Sequence, residues 1–162
     1  MRTLGLGIVG GFGIGLAAAT VLNAQIEIRQ QAPTDRAADF PLAEIEAIIK
    51  DMDAVGRPTT RLLEGGSYNV NIRRISDTET ALMHPQTTDV YVVIEGSGTL
   101  ITGGQILDAQ GQPVEGQRGA SIRGGTSRTV SAGDLVYIPA GVPHGFRETE
   151  GITWFNIRFD TK

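Results

Sequence analysis

The sequence predicts an all-β domain of the antiparallel jelly-roll or barrel kind, preceded by one short helix. Three observations carry that expectation. Beyond Ser67 the apolar residues change from helical spacing to strict alternation. The alternating runs are short and are bounded by glycine, proline or polar turn residues. Only one stretch ahead of them has the spacing of an amphipathic helix. Many short strands after a single helix suit two β layers packed over one core.

Along the chain, Arg2 is followed by an uncharged, apolar and glycine-rich run that ends on the small residue Ala24. Residues 1–24 therefore read as a signal peptide, cleaved after Ala24 or retained as a membrane anchor. Cleavage would give a periplasmic or secreted protein with no stable membrane association. Gly5, Gly7 and Gly10 spell G-x-G-x-x-G, but a dinucleotide fingerprint needs a strand before it, and only four residues precede Gly5.

Residues 25–66 are read as an N-terminal extension with one helix. In DFPLAEIEAIIKDMDAVG, Asp39 is expected to cap, Pro41 to sit at an early helical position and Gly56 to end the helix. Leu42, Ile45, Ile48, Ile49 and Met52 fall on one face, which predicts packing against the outside of the β body or docking of a partner.

Residues 67–162 are the barrel candidate. In SYNVNIRRIS, Tyr68, Val70 and Ile72 alternate with Asn69, Asn71 and Arg73, as in a half-buried strand. Further strands are expected in TALMH, DVYVVIEG, GTLITG, TVSAGDLVYIPA and GITWFNIRFD. Between them residues 103–127 are rich in glycine and glutamine; they read as one or two hairpins with a tight turn at Gly124-Gly125, forming a functional rim or a solvated excursion.

Composition narrows the chemistry. The 162 residues include 14 Lys and Arg, 18 Asp and Glu and 2 His, for a formal net charge of −4. This mild acidity offers no basic stripe for a phosphate backbone and argues against a nucleic-acid partner. No cysteine is present, which removes thiolate catalysis and cysteine-ligated metals. There is no Gly-x-Ser-x-Gly and no phosphate loop, and the carboxylates are too scattered to pair as in a glycosidase.

Any metal or acid–base chemistry must therefore lean on His84 and His144. His144 ends GDLVYIPAGVPHGF, where Gly133, Pro139, Gly141 and His144 resemble the second motif of the cupin superfamily: Gly, five residues, Pro-x-Gly, two residues, His, three residues, Asn. Glu148 stands at the asparagine position. In SDTETALMHPQTTDVYVVIEG, His84 resembles the second histidine of the first cupin motif, Asp89 occupies its glutamate position and Gly96 its closing glycine. Leu82 replaces the first histidine and Ser76 the leading glycine.

The resemblance covers roughly residues 68–159 and implies a cupin-type antiparallel jelly-roll barrel. It implies that His84, Asp89 and His144 hold one divalent transition metal (Mn, Fe, Ni or Zn) in the barrel mouth, with a homodimer as the default assembly. Two imidazoles and a carboxylate are good ligands for such ions and leave positions open for a small-molecule ligand. Because a histidine must be neutral to ligate, an ordinary imidazole would release the metal below a pH of about 6.

Around this trio, Leu82 shares a strand face with His84 and is expected to wall the metal and contact substrate. Glu79 and Gln86 are alternative fourth ligands. Tyr91, on the face of Asp89, is a candidate catalytic proton donor or a packing residue. Trp154, Asn156 and Arg158 share one face of the last strand; were it interior, Arg158 would bind a substrate carboxylate, and were it exterior, it would be a solvated charge. Arg123 and Arg128 flank the Gly124-Gly125 turn as possible guards of the mouth.

These residues predict an exported metal-dependent enzyme of lyase, isomerase, dehydratase or dioxygenase type acting on a small oxygenated molecule. The alternative is a non-catalytic cupin that binds a metabolite or carbohydrate. A barrel alone fixes neither.

Overall fold

A computed structural model of the chain describes residues 26–77 and 81–161. The segment read as a signal peptide lies outside the described residues, as does Glu79. Among the described residues no helix is long and apolar enough to cross a membrane.

The elements run β1 (Glu27–Gln31), α1 (Leu42–Val55), β2 (Thr59–Glu64), β3 (Tyr68–Ile75), β4 (Thr87–Thr102), β5 (Gln105–Leu107), β6 (Ser121–Arg123), β7 (Thr126–Ser131), β8 (Leu135–Ile138) and β9 (His144–Asp160). One sheet has the order β1-β2-β3-β9-β4-β7, with β8 beside β7 on the same edge of β4; β5 and β6 form a separate hairpin. The predicted barrel is thus a jelly roll whose hydrogen-bonded path stays open: among the described residues no ladder joins β1 to β7 or β8.

The two longest strands create the layers. DVYVVIEG and GTLITG, expected as separate strands, are one bent strand, β4, and its register against β9 shifts between Val93 and Thr99. Gly96 makes the bend possible. It has φ 68°, and a Cβ there would lie 2.4 Å from the Glu150 carbonyl oxygen. On one side of the bend, Thr87–Val93 lie between β9 and β8; on the other, Ser97–Thr102 lie between β9 and β7. The halves of β4 and β9 thereby face each other across a core of Tyr91, Val93, Leu100, Val130, Phe146, Ile152 and Trp154. TVSAGDLVYIPA likewise divides into β7 and β8 at a turn where Asp134 N–H donates to Ser131 O and Ser131 N–H to the Asp134 carboxylate.

Helix α1 packs on the outside, as its spacing predicts. Ile45, Ile48 and Met52 cluster with Leu62 and Ile72, and Ile49 packs against the margin. Each fully buried side chain of this size contributes roughly 1.5–3 kcal/mol. Two expectations for the helix are corrected. Leu42 is 73% exposed and lies outside the cluster that Ile45, Ile48 and Met52 form. Asp39 does not cap: Pro41 is the N-cap residue, without a side-chain cap bond, and its carbonyl accepts from Glu44 and Ile45, leaving Asp39 two residues too far out. Gly56 ends the helix in the left-handed conformation with φ 64°.

The segment read as an extension also supplies β1 and β2, which lengthen the sheet beyond β3. Arg57 ties α1 to β1 by pairing with both Asp51 and Glu27. Residues 103–127 form the β5–β6 hairpin, with Gly124 at φ 72° leading into β7.

Candidate functional site

Backbone pairing brings the two predicted histidines together. His144 opens β9, and its N–H and carbonyl exchange hydrogen bonds with Leu82 at 2.8 and 2.9 Å. The proline-glycine turn before it closes on the other histidine, because Gly141 N–H donates to the His84 carbonyl at 2.7 Å. Gly141 has φ 80°, which glycine adopts without strain. Asp89 comes from the opposite layer, on β4, between Arg158 of β9 and Ile138 of β8.

The three side chains meet. His84 Nε2 lies 3.8 Å and His144 Nε2 3.9 Å from Asp89 Oδ2, and the three atoms lie within 4.8 Å of one another. All three are buried and lack a hydrogen-bond partner. Donor atoms about 2.1 Å from one ion sit roughly 3.0–3.5 Å apart, so side-chain shifts on the order of 1 Å or less at each ligand would let them share a divalent cation. The residues fit a metal.

Their protonation suits the same role. His144 Nδ1 donates to the Val142 carbonyl at 2.9 Å, which fixes the tautomer with a bare Nε2 turned to Asp89. Burial pushes the His84 imidazole down to about 4; Arg158 reinforces this more strongly than Asp89 opposes it, and His144 and Arg118 add to the depression. His144 is lowered too, chiefly by burial, against the Val142 carbonyl and Asp89. Both rings are therefore held in the neutral, ligating form.

Asp89 is divided between two tasks. Its Oδ1 accepts from Arg158 Nε at 2.7 Å, while Oδ2 faces the imidazoles. The face of Trp154, Asn156 and Arg158 is thus the interior one, and Arg158 is a charge-paired residue at the site. Leu82 is 5% exposed and pairs directly with His144, on the same face.

Tyr91 is on the face expected but deep in the floor. It is 2% exposed and packs against Phe146 and Trp154, with ring centroids 6.2 and 5.3 Å away. Burial and then Asp89 push its hydroxyl far above the usual phenol range, so the hydroxyl stays protonated. Arg123 is spent on Gln105 at 2.8 Å, and Arg128 lines a shallow hollow with Leu135 and Tyr137.

Sequence reading missed two arginines. Arg73, expected merely to alternate on a half-buried strand, pairs in register with Trp154 and places its guanidinium over that ring at 5.6 Å. Burial lowers its pKa to about 10. Arg118, in the glycine-rich excursion, pairs with Leu82, so its side chain shares the face of Leu82 and His144. Pairing across so long a loop leaves no mark in local spacing.

The geometry defines a class: a jelly roll with two neutral imidazoles and one carboxylate converging between its layers. The jelly-roll fold is the one that the motif resemblance implies, and it is shared with proteins of known structure. A Bacillus halodurans protein of known structure overlays with a TM-score of 0.52 at 17% identity, covering 80% of this chain and 84% of its own. A Neisseria meningitidis protein overlays at 0.49 with 16% identity, covering 75% and 99%. A cupin-2 domain containing protein from Shewanella frigidimarina overlays at 0.41 with 20% identity, covering 63% and 78%. No protein-family model and no curated protein matches the chain.

Proposed function

We propose that this cupin binds one divalent transition metal through His84, Asp89 and His144 and acts on a small oxygenated organic molecule. The observation that carries this reading is the convergence of three buried donor atoms without partners of their own. Manganese, iron, nickel or zinc held there would supply Lewis acidity toward a ligand oxygen, or with iron the activation of oxygen.

The protein's own residues do the rest. Val142 and Arg158 fix the orientation of His144 and Asp89. Leu82, where a fourth ligand would stand in the cupin pattern, keeps that side apolar and would offer a bound metal no ligand atom. Tyr91 and Trp154 close the floor, which excludes water from behind the group. Export is part of the proposal, resting on the uncharged run after Arg2.

A second reading, a non-catalytic cupin that binds a metabolite, is favoured by the missing fourth ligand and by the hold of Arg158 on Asp89. Elemental analysis of protein purified without an affinity tag separates the two. Near-stoichiometric metal, lost in His84→Ala, supports the first; protein that takes up none of the four ions from solution overturns it. Sequencing the N-terminus of the protein recovered from the culture tests export.

A further inference from the structure

Two arginines lie near the His84–Asp89–His144 group, and neither would ligate a metal. Arg158 is anchored by its Nε alone, 2.7 Å from Asp89 Oδ1, and its side chain is 22% exposed. Its two terminal nitrogens make no hydrogen bond within the described residues. Arg118 is exposed, on the face of Leu82 and His144, and no carboxylate among the described residues pairs with it. Both act electrostatically on the same imidazole, that of His84. Two cations beside a single carboxylate, next to histidines held neutral, make a mouth with excess positive charge in a chain whose net charge is −4.

Behind them lies more unused capacity. Asn156, 1% exposed and on the interior face between Arg158 and Trp154, has no partner for either its Oδ1 or its Nδ2. The Trp154 Nε1 is likewise without an acceptor. Buried polar atoms are normally satisfied, and a run of exceptions beside a cationic rim calls for a polar, anionic ligand.

We propose that Arg118 and Arg158 form a carboxylate clamp at this mouth, so that the ligand is a small organic acid carrying a hydroxyl or carbonyl oxygen next to its carboxylate. The planar forks of the two arginines receive the carboxylate, and Arg158 remains tethered to Asp89. The adjacent oxygen is turned toward the imidazole pair. The proposal rests on the reading above for that second contact, and on the arginines alone for the first.

The test compares acids with their neutral amides: pyruvate with pyruvamide, and lactate with lactamide. Binding to the full chain is measured by calorimetry and ligand-observed NMR, with and without added manganese. The acids should bind at least about tenfold more tightly than the amides, with an advantage that shrinks as salt rises. Arg118→Gln, at an exposed position, should erase the advantage, and Arg118→Lys should restore part of it. Equal binding of acid and amide, an acid preference that survives Arg118→Gln, or no measurable binding of either acid overturns the clamp. Metal content of the same samples separates the two failures. An Arg118-dependent preference in protein that takes up no metal keeps the clamp and sinks the metal reading, whereas loaded protein without the preference does the reverse.

Discussion

The sheet formed by β3, β9 and β4 is buried on both faces, yet the two faces are built on different terms. Its outer face, under α1, is closed by Ile45, Ile48, Met52, Leu62 and Ile72. The charges there stay at the rim, where Arg74 pairs with Asp53 at 2.6 Å and Glu95 at 2.8 Å. The inner face has an equally apolar floor around Trp154, but near the mouth it buries His84 Nε2, His144 Nε2, Asp89 Oδ2 and both polar atoms of Asn156 without partners. Each such atom costs roughly 1–3 kcal/mol. The outer face therefore contributes stability, and the inner one gives some of it up to keep donor and acceptor atoms available.

The two apolar clusters should respond alike and strongly. Trp154→Ala empties the centre of the inner floor, where the side chain is 0% exposed, and is expected to destabilise by about 3–5 kcal/mol. Met52→Ala, 1% exposed beneath the helix, should lose about 2–4 kcal/mol. Urea unfolding measures both. A loss below about 1 kcal/mol for Trp154→Ala would mean that the inner floor is not close-packed, and the contrast between floor and mouth would dissolve.

How much of this contrast was legible in the sequence depends on the range of the signal. Period-2 alternation located β3 and the second half of β9, and helical spacing located α1, because both are local. The motif spacings placed His84, Asp89 and His144, and the layers then brought them to one point. What was not legible came from long-range register. The fusion of two expected strands into β4 depends on Gly96 meeting the carbonyl of Glu150, fifty-four positions on. The interior placement of Arg158 follows from its register opposite Asp89, and that of Arg118 from a bridge to Leu82. β1 was not anticipated either: it is an edge strand with mixed polarity and a parallel partner, and neither feature leaves a pattern in five residues.

Acid sharpens the contrast next, because only the inner face carries depressed histidines. In the unfolded chain an imidazole takes up its proton near pH 6.5, whereas folded His84 resists until about 4. Between those values the unfolded state binds more protons than the folded one, so stability is full above about 6.5 and falls as pH drops toward 4. For the metal-free protein the slope should approach about 1.4 kcal/mol per pH unit for each proton taken up only on unfolding. His84→Gln should flatten it, as chemical unfolding at a series of pH values would show. The same depression moves proton competition for metal below the pH of about 6 that an ordinary imidazole would set. A slope unchanged by His84→Gln would place the acid sensitivity elsewhere.

A smaller effect is expected at the wall of the mouth. Leu82→His puts a third imidazole on the face of His144, directly opposite it in the backbone pairing. Metal affinity should rise about tenfold, near 1.4 kcal/mol, measured by competition with a chelator. Stability without metal should fall, because a buried apolar side chain gives way to one that needs a partner. An affinity unchanged or reduced would show that this face does not point at the ion.

The smallest expected effect has the opposite sign, and it bears most directly on the difference between the faces. On the outer face every large-to-small or apolar-to-polar change should cost stability. At Asn156 an apolar replacement of similar volume should not. The side chain is 1% exposed, both its polar atoms lack partners, and its neighbours in register, Asn71 and Tyr91, are also buried. Asn71 Nδ2 donates to the Asn156 backbone carbonyl at 3.1 Å, so that bond survives when the side chain changes. Asn156→Leu removes two unsatisfied groups and adds apolar contact to the Trp154 floor, for an expected gain of about 1 kcal/mol in thermal or urea unfolding. The same variant should weaken binding of the organic acids, since the amide is one of the groups held in reserve. A loss of more than about 1 kcal/mol would mean that the amide is partnered in the folded protein, and that the inner face gives up less stability than its geometry indicates.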